Sequence, residues 1–457
     1  MKTGRFAKYK DSGIEWIGEI PEGWLVVPLL KLLESLVDYR GATPEKTEDG
    51  IFLVTGRNIK GGRIDYEVSK EFVPEDQYKE IMHRGKPRIG DLLFTTEAPL
   101  GEVANVDNEN IALAQRIIKM RGKKDKLDSY YLKYYILSPL FQQHLLKYAT
   151  GSTALGIKAS NMCFLRLILP PKDLQREIVV VLDGEKSRID RIIQKDKQFV
   201  ELLEEKRLAN INQAVTRGLD PKAKLNDSGI EWIGEIPESW SLRRLKTLLE
   251  SRKGSIKTGP FGSQLTIGEM NESDVKVYNQ RNIISNDETI GENFVSLDKY
   301  RELIAFKAGP GDLLITTRGT IGRCLKLSSN AEKGVLHPCL MKIKIDNSIV
   351  LDDYMEFLIE ESDMVKVQFQ IQSNATTIDV IYQENLKNLI LPIPPIDEQK
   401  TILTCIKKRI SKIEKTIERI QTRIELFKEY EKALINNLVT GKVDVREQNG
   451  LGSKVFS

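Results

Sequence analysis

The alternation of apolar and polar positions predicts short strands followed by helices in each half of the chain. Apolar runs bounded by Gly, Pro, Asn and Asp indicate strands and turns, and runs with helical spacing indicate helices. In the first half, we predict strands over 51–55, 92–95, 103–106 and 111–120 and helices over 129–137 and 139–148. In the second half, we predict strands over 275–278, 313–316 and 340–345 and helices over 352–360 and 363–372. We therefore expect an α/β (α+β) domain in each half, with Ser129 and Asp352 as helix N-caps.

Each domain is followed by a long segment whose apolar residues recur at steps of three and four, which is typical of a coiled-coil seam. The seam of the second segment contains Ile413, Ile417, Ile420, Ile424, Phe427, Leu434 and Leu438. The seam of the first contains Ile178, Leu182, Ile189, Ile193, Val200, Leu203 and Ala214, with Asp196 and Asn210 as polar interruptions. Pro171 and Pro395 precede the segments, where proline can start a helix. About 44 residues at 1.5 Å each would give a rod of about 66 Å.

The two halves are copies of one module. Residues 11–24 read DSGIEWIGEIPEGW and residues 227–240 read DSGIEWIGEIPESW, so thirteen of fourteen positions match. Further matched patches are VTGRNI with YNQRNI, GDLLFTT with GDLLITT, and LILP in both halves. The offset between the copies grows from 216 to 224, and 251–274 has no clear equivalent near 35–50. The two copies share the matched patches of a common scaffold and differ in the stretches between those patches. This is expected of a protein that recognises two different targets.

Neither long helix can bury its apolar seam alone. Packing the two helices on each other within the chain is the simplest arrangement, and a pseudo-twofold relation between the halves would make them antiparallel. A coiled coil between two chains is the alternative. The predicted organisation is a first target recognition domain over 1–171, a spacer helix over 172–217, a second recognition domain over 218–394, a second spacer helix over 395–443 and a C-terminal tail over 444–457.

Composition narrows the class of protein only slightly. The net charge of +4 over 457 residues is mildly basic, which is compatible with a polyanionic partner. Cys163, Cys324, Cys339 and Cys405 form no Cys-x-x-Cys pair, so neither a disulfide framework nor a zinc site is expected. No apolar run approaches the ~20 residues needed to span a bilayer, and the N-terminus has no apolar core. We expect a cytoplasmic protein with reduced cysteines and no membrane partner.

The motifs of common enzymes are missing from the sequence. We find no Gly-x-x-x-x-Gly-Lys-Ser/Thr phosphate loop, no Gly-x-Gly-x-x-Gly after a strand and no Gly-x-Ser-x-Gly nucleophile elbow. An Asn-Pro-Pro-Tyr-type loop for amino methylation is also missing, and three histidines leave little material for acid–base chemistry. We expect no catalytic residue and no metal ligand in this chain.

Polar loops after the predicted strands are candidates for contact with duplex DNA. A reader of DNA needs cations for phosphates, and Arg, Lys, Asn or Gln for base edges. The candidates in the first half are Arg57, Asn58, Lys60, Thr96, Ser152, Thr153 and Lys158. The candidates in the second half are Lys253, Lys257, Ser263, Gln264, Gln280, Arg281, Asn282, Thr317, Arg318, Asn374 and Thr376. Glu97 faces Arg318 at one repeat position, which reverses the charge there.

Two of these motifs also have a purely structural interpretation. Arg-Asn after a strand is often a turn with a structural hydrogen bond, and Gly-Asp-Leu-Leu is typical of a tight turn into a core strand.

Together these features resemble the specificity subunits of type I restriction–modification systems. The resemblance covers essentially the whole chain and rests on the duplicated DSGIEWIGEIPE-G/S-W, on GDLLFTTEAPLGEVA and GDLLITTRGTIGRC, on PPKDLQREI and PPIDEQKTI, and on IKTGPFGSQL and VYNQRNI. It implies that each domain recognises one half of an asymmetric, bipartite site in double-stranded DNA. It also implies that the paired helices set the gap between the half-sites and dock two methyltransferase (modification) subunits.

The same resemblance implies that the cofactors belong to other subunits. S-adenosylmethionine would serve the methyltransferase, and ATP and Mg²⁺ would serve the restriction (motor–nuclease) subunits, which join through the methyltransferase complex. Half-sites about one helical turn apart, ~34–36 Å, would suit two readers on a rigid spacer. The family commonly has a basic residue where this chain has Glu97, so the resemblance carries no DNA role to that residue.

Two functions from other classes fit part of the pattern. A stand-alone DNA-binding enzyme, such as a nuclease joined to its own reader, would need a carboxylate–lysine cluster, and none in the sequence is convincing. A coiled-coil adaptor would bind only proteins.

Overall fold

The computed structural model describes residues 4–39, 44–151, 155–270, 274–373 and 380–448. The chain divides into two compact units. The first unit comprises residues 1–197 and 421–457, and the second comprises residues 198–420. Each unit holds one copy of the domain, the first part of the long helix that follows it and the last part of the other long helix. Each unit is described by itself.

The first half of the chain contains thirteen strands and five α-helices among the described residues. The strands are β1 Tyr9–Asp11, β2 Glu19–Pro21, β3 Leu25–Pro28, β4 Leu33–Asp38, β5 Ile51–Val54, β6 Ile59–Lys60, β7 Arg63–Ile64, β8 Phe72–Val73, β9 Leu92–Thr96, β10 Leu100–Asn105, β11 Ile111–Leu113, β12 Ile117–Gly122 and β13 Arg166–Leu169. The α-helices are α1 Leu29–Leu32, α2 Tyr78–Ile81, α3 Ser129–Leu137, α4 Pro139–Leu146 and α5 Lys172–Thr216, and Ala159–Phe164 forms a 3₁₀ helix.

The second half repeats this order. Its strands are β14 Leu225–Asp227, β15 Glu235–Pro237, β16 Ser241–Arg244, β17 Ile256–Thr258, β18 Val275–Tyr278, β19 Phe294–Val295, β20 Lys307–Ala308, β21 Leu313–Thr316, β22 Cys324–Lys326, β23 Gly334–Leu336, β24 Leu340–Ile343 and β25 Ile390–Ile393. Its α-helices are α6 Gln280–Ile284, α7 Leu297–Glu302, α8 Asp352–Glu361, α9 Asp363–Ser373, α10 Gln383–Lys387, α11 Ile396–Val439 and α12 Val445–Gln448. Three 3₁₀ helices span Leu245–Thr247, Ile267–Met270 and Ile304–Phe306.

The first unit is built on two small sheets. Strands β10, β9, β12 and β4 form a four-stranded antiparallel sheet in that order. Strand β5 lies between β11, to which it is parallel, and β8, to which it is antiparallel. Buried Leu92 and Phe94 of β9 pack with α3 and α4 in one core, whereas Leu93 of the same strand joins the core under β5. Because successive side chains of a strand point to opposite faces, β9 contributes residues to both cores.

The second unit has a similar topology, with one more strand in its second sheet. Strands β17, β24, β21 and β22 form the matching four-stranded sheet, and β19, β18, β23 and β20 form the second sheet, with β18 and β23 parallel. The described α/β repeat confirms the predicted fold class, and the strands predicted over 275–278 and 313–316 have the predicted bounds.

The single strand predicted over 111–120 is wrong, because the structure has two strands there, β11 and β12. Strand β11 pairs with β5 in one sheet, and β12 pairs with β9 in the other. The chain crosses between the sheets in a turn at 114–116, where the Ile117 amide donates to the Ala114 carbonyl at 3.2 Å. A continuous strand could not hydrogen-bond to both sheets.

The predicted helix caps are also corrected. The Asp128 carboxylate, not Ser129, caps α3 by accepting from the Tyr130 amide at 2.9 Å. Helix α8 starts at Asp352, but Leu351 occupies the N-cap position and makes no side-chain cap. The Asp352 amide instead donates to the Asn347 side chain at 2.9 Å. The first amides of α3 and α8 thus bond to side chains that precede the predicted caps, and among the described backbone amides the Asp352 carboxylate accepts only from that of the adjacent Asp353, at 2.9 Å.

The Gly-Asp-Leu-Leu motif is a turn into a buried strand in both copies, as its structural interpretation predicts. Gly90 has φ +85° and Gly311 has φ +73°, a conformation that favours glycine. Asp91 is buried and accepts two bonds from Arg121, at 2.6 and 2.8 Å, while the Lys119 ammonium lies 3.4 Å away. Burial lowers the pKa of Lys119, and the Asp91 charge opposes that fall.

The second copy keeps the same buried ion cluster with lysines only. Asp312 lies 3.2 Å from the Lys342 ammonium and 3.9 Å from that of Lys344. Lys342 lies in β24 and Lys344 follows directly after this strand, and the two match Lys119 and Arg121 of β12. The motif is therefore kept because its aspartate ties the turn to the adjacent strand.

A buried glutamine anchors the start of each long helix. The Gln175 amide donates to the Pro170 and Lys126 carbonyls, both at 2.9 Å, and its oxygen accepts from the Asp128 amide at 2.8 Å. Gln399 makes the equivalent bonds to Pro394 at 2.8 Å, Ile349 at 3.2 Å and Leu351 at 2.9 Å. These bonds explain why the proline-led segments carry a glutamine at the same place.

Helices α5 and α11 pack antiparallel within each unit. In the first unit, the Lys186 ammonium lies 2.8 Å from the Glu431 carboxylate, and the Arg423 Nε donates to Asp196 at 2.9 Å. In the second unit, Arg207 lies 3.7 Å from Glu414. The residue numbers rise along one helix as they fall along the other, so the helices are antiparallel and in one chain. Asp196, predicted as a polar interruption, is buried in this ion pair.

The end of each long helix packs on one of the duplicated hairpins. In the first unit the hairpin is β1–β2, and a Cβ atom at Gly441 would lie 2.5 Å from the Pro21 ring. In the second unit the hairpin is β14–β15, and a Cβ at Gly218 would lie 3.8 Å from the Pro237 ring and 3.3 Å from the ring of Trp240, which follows the hairpin. Both glycines have positive φ, at +72° and +71°. The matched closing motifs thus exist to fit the matched hairpins.

The described residues show neither a membrane-spanning helix nor a disulfide. No helix in the described ranges is long and apolar enough to cross a bilayer. The four cysteines are free, and Cys324 is buried.

We expect Asp91→Asn to destabilise the first unit strongly. The change would leave Arg121 and Lys119 beside β9 without their buried counter-charge, which typically costs about 3–5 kcal/mol. Amide hydrogen exchange in β9 would report the local free energy of opening. The exposed Asp76→Asn is the control and should change this value by less than about 0.5 kcal/mol. Equal effects of the two changes would contradict a structural role for the cluster.

Candidate nucleic-acid interface

Four loops converge at one edge of the first unit. The Thr96 amide and hydroxyl both donate to the Arg116 carbonyl, at 2.9 and 3.1 Å, and the Ile157 amide donates to the Thr96 carbonyl at 2.9 Å. The Ala114 amide donates to the Val54 carbonyl at 2.9 Å, which brings in the loop after β5. Backbone hydrogen bonds therefore hold together the loops at 55–57, 96–98, 114–116 and 156–158, which we call the first loop surface.

The first loop surface is rich in exposed cations. Arg57, Arg116 and Lys158 are all exposed on it, and the predicted Lys60 is exposed on β6, outside these loops. Residues of three of the loops line a concavity of about 270 Å³ together with neighbours, and its lining includes Lys46, Thr55, Arg57, Glu71, Gln115 and Arg116. The structure thus brings the predicted Arg57 together with Arg116, which the sequence did not single out.

The second unit has the same framework, which we call the second loop surface (residues 259–264, 279–281, 317–319, 337–339 and 380–382). The Thr317 amide and hydroxyl donate to the Cys339 carbonyl at 3.0 and 2.9 Å, and the Ile381 amide donates to the Thr317 carbonyl at 2.9 Å. The His337 amide donates to the Tyr278 carbonyl at 2.9 Å. Each bond matches one in the first unit.

The exposed side chains of the second loop surface differ from those of the first. Arg281, Arg318, Ser263 and Gln264 are exposed, and so is Phe261, with 81 % of its surface accessible. Gln280 is half-buried and its side-chain amide donates to the Arg318 carbonyl. Burial lowers the pKa of His337, so this side chain is neutral near pH 7 and adds no charge.

Two predicted lysines lie at the margin of the second surface. Lys253 is exposed in the turn before β17. Lys257 is half-buried on β17, and its ammonium lies 4.7 Å from the centre of the Phe306 ring. A cation held over an aromatic face is partly engaged within the domain.

The predicted Asn58 and Asn282 are structural residues, which corrects their assignment as base readers. Both are fully buried. The Asn58 oxygen accepts from the Thr55 amide at 2.9 Å, and its amide donates to the Asp65 carbonyl at 2.9 Å and the Ser69 carbonyl at 3.1 Å. Asn282 accepts from the Asn279 amide at 3.0 Å and donates to the Ile290 carbonyl at 2.6 Å. All their hydrogen-bonding groups are used inside the loop.

Thr96 and Thr317 are corrected for the same reason. Each has about 2 % of its surface exposed, and each hydroxyl donates to a carbonyl within the framework described above. The predicted Ser152, Thr153, Asn374 and Thr376 lie outside the described residues. The role of the remaining candidates in DNA contact stays a prediction.

The sequence contained a signal for Arg116 that its analysis missed. The apolar run 111–120 is interrupted by Gln115 and Arg116, and this interruption is the turn that reaches the first loop surface. A polar pair inside an otherwise apolar run indicates an exposed turn between two strands.

A comparison with known families identifies the fold. The family model for the type I restriction modification DNA specificity domain matches residues 21–202 and matches again over residues 237–426. The chain belongs to this family. The two matches coincide with the two copies of the module, so the resemblance drawn from the sequence is confirmed.

Relatives of this specificity family cover nearly the whole chain. A putative type I restriction enzyme MjaX specificity subunit of Methanocaldococcus jannaschii is 26 % identical over 452 residues, which are 94 % of this chain and 96 % of that protein. The StySPI specificity subunit of Salmonella potsdam is 22 % identical over 429 residues, covering 89 % and 87 % of the two chains.

Solved structures of the family share the fold. One chain, from a study of complex assembly and conformational transition of the type I R-M system, has a TM-score of 0.69 at 17 % identity and covers 92 % of this chain and 98 % of its own. The HsdS subunit from Thermoanaerobacter tengcongensis has a TM-score of 0.54 at 17 % identity, with 93 % and 98 % covered. At this identity the likeness concerns the fold alone.

We expect Asn58→Ala to loosen the loop after β5, since the Thr55 amide and hydroxyl and the Asp65 and Ser69 carbonyls would lose the buried side chain to which they bond. Leaving such groups unpaired costs about 1–3 kcal/mol each, so hydrogen exchange of the Asn58 and Asp65 amides should accelerate at least tenfold. The neighbouring exposed Arg57→Ala is the matched control and should leave these exchange rates within about twofold. Faster exchange in both variants would show that the loop depends on more than Asn58.

Proposed function

We propose that this chain is the DNA specificity subunit of a type I restriction–modification enzyme, with each unit recognising one half of a bipartite duplex site. The observation that carries the proposal is the relation between the two loop surfaces. Their hydrogen-bonded frameworks are the same, and Arg57 matches Arg281, whereas Glu97 and Arg116 in the first stand where Arg318 and Cys339 stand in the second.

This pattern suits a reader of DNA for a physical reason. Loops fixed by backbone hydrogen bonds present side chains with little loss of freedom on binding. Exposed arginines can donate two parallel hydrogen bonds to guanine in the major groove or pair with phosphates. Because the side chains differ between the surfaces, the two half-sites should differ and the whole site should be asymmetric.

We propose that the long helices act as spacer and docking element for two methyltransferase subunits. Helices of 45 and 44 residues support the spacer role. Large apolar side chains are exposed on them, namely Val180, Phe199, Leu202, Leu426 and Tyr430. Exposed apolar groups on a helix pair indicate a surface that a protein partner covers.

We further propose that the chain is not catalytic and acts in the cytoplasm, where restriction subunits join through the methyltransferase complex. Its family membership and the missing enzyme motifs support this assignment. S-adenosylmethionine, ATP and Mg²⁺ would then bind only to the partner subunits. In the ranges that the structure describes, no three His, Cys, Asp or Glu residues group as metal ligands.

Exchange of one recognition domain tests the assignment of half-sites. The chain, assembled with its methyltransferase subunits and S-adenosylmethionine, would be given a library of randomised duplexes, and methylated sites would be sequenced. Replacing residues 240–390 with the matching region of a relative should change one half-site only.

Each outcome of this experiment is informative. Changes in both half-sites would contradict modular reading. Methylation or cleavage by the chain alone would favour a stand-alone enzyme, and failure of the complete complex to bind DNA would favour a protein adaptor.

A heptad inserted into both helices tests the spacer. Seven residues added after position 197 of α5 and after position 420 of α11 keep the seam in phase and lengthen each helix by about 10.5 Å. The gap between the half-sites should widen by one to about three base pairs, with the half-sites unchanged. Seven Gly and Ser residues inserted near position 221, outside both helices, are the control and should leave the gap as it was. An unchanged gap after the helix insertion would contradict the spacer role.

A further inference from the structure

An ion pair occupies the first loop surface where two of its loops meet. The Arg116 Nε lies 2.8 Å from a carboxylate oxygen of Glu97, and the two side chains are 53 % and 41 % exposed. Both backbones are fixed, because the Thr96 amide donates to the Arg116 carbonyl and Glu97 forms a β-bridge with Gly156. The pair therefore faces solvent from a rigid frame.

Stability does not explain this ion pair. Exposed pairs contribute little to folding because solvent screens them. On a surface that attracts a polyanion, the negative charge of Glu97 also weakens binding to phosphates. A carboxylate at this place therefore calls for a specific partner.

The loop opposite Glu97 leaves room for its side chain. A Cβ atom at Gly156 would lie 3.1 Å from the Glu97 Cβ and 3.3 Å from its carboxylate oxygen. In the second unit, the equivalent bridge joins Arg318 to Val380. Gly156 and Val380 thus differ across the bridge, and Glu97 and Arg318 differ on the surface, while the hydrogen-bonded framework is the same.

The second loop surface shows what replaces the ion pair. Arg318 stands at the position of Glu97, and Cys339 stands at the position of Arg116. Arg318 is exposed, and none of the ion pairs among the described residues includes it. The first surface offers an acceptor beside a donor, and the second offers a donor alone.

We infer that Glu97 determines base specificity in the first half-site by accepting a hydrogen bond from the N4 amine of cytosine, and that Arg318 at the matched position reads guanine in the second. The inference rests on the proposed function and names one residue of each surface. A carboxylate only accepts hydrogen bonds, and in the major groove only cytosine and adenine carry a donor. Adenine also presents the acceptor N7 beside its amine, which repels a carboxylate, so cytosine is the fitting base.

Arg116 completes this reading as a positioning residue. Its Nε holds the Glu97 carboxylate, and among the described residues nothing accepts from its other N–H groups, which can donate to O6 and N7 of the guanine paired with that cytosine. The C·G base pair thus presents one donor, cytosine N4, and two acceptors, guanine O6 and N7. The protein presents the Glu97 carboxylate as the acceptor and the Arg116 N–H groups as the donors.

The test uses reciprocal substitutions in the full chain. The chain would be assembled with its methyltransferase subunits and S-adenosylmethionine, and methylated sites would be selected from randomised duplexes. Glu97→Gln should change one position of the first half-site from cytosine towards adenine, since glutamine pairs with adenine N6 and N7. Glu97→Arg should change the same position towards guanine. We expect the preference for cytosine at that position to fall by about 5- to 150-fold.

Arg318→Glu is the second arm, and it should change one guanine of the other half-site to cytosine. Glu67→Gln, at a glutamate that lies outside the loops of the first loop surface and whose side chain is 81 % exposed, is the matched control and should leave both half-sites unchanged. Circular dichroism melting of each variant separates changes in reading from changes in folding.

The outcomes distinguish this inference from the proposed function. In one outcome, the wild-type complex recognises a bipartite site and the Glu97 and Arg318 variants recognise it with the same bases. That result would overturn the inference and leave the proposed function standing. Uniform loss of binding by folded variants, with no change of preferred base, would overturn it too, because it would assign these residues to affinity alone. A wild-type complex without any bipartite site would overturn the proposed function itself.

Discussion

The first unit depends on a segment that lies at the far end of the sequence. Leu434, Leu438 and Val439 of α11 share a buried core with Trp24 of the opening module and with Ile178 of α5. Gly441 then packs against Pro21, and the Tyr9 hydroxyl donates to the Gly441 carbonyl at 2.9 Å. Since this core is incomplete without residues beyond 420, α11 must return along α5, and the antiparallel packing of the two helices follows from the need to fill one core.

The loop surfaces show how a duplicated domain can change its target without changing its fold. Buried Asn58 and Asn282, the threonines at the strand ends and the turn at 114–116 fix the backbone through hydrogen bonds that do not depend on an exposed side chain. The exposed positions between these anchors contribute little to stability, because solvent reaches them. These positions can therefore carry different side chains in the two units, and each side chain stands at the same place on the shared framework.

Several features of the structure were predictable because they depend on local pattern. Strands at 275–278 and 313–316 follow from short apolar runs next to turn residues, and the long helices follow from their repeating seam. The misses have a common physical cause. Each depends on contacts between residues that are distant in sequence. The run 111–120 pairs with strands of two sheets and is therefore interrupted at Gln115 and Arg116. The two asparagines resemble polar loop residues in the sequence, but their hydrogen-bond partners, such as Ser69 and Ile290, lie 8 to 11 residues away.

The sequence by itself determined that the chain contains two copies of one module and that each copy ends in a long helix with an apolar seam. It also determined that the family is that of type I specificity subunits. These properties are encoded in spacing and repetition, which a chain carries before it folds. The tertiary structure alone decided which loop residues face solvent. Arg116 and Glu97 are 19 positions apart, and only the pairing of β9 with β12 brings them to 2.8 Å. Exposure and proximity of this kind depend on long-range strand pairing, which no local pattern contains.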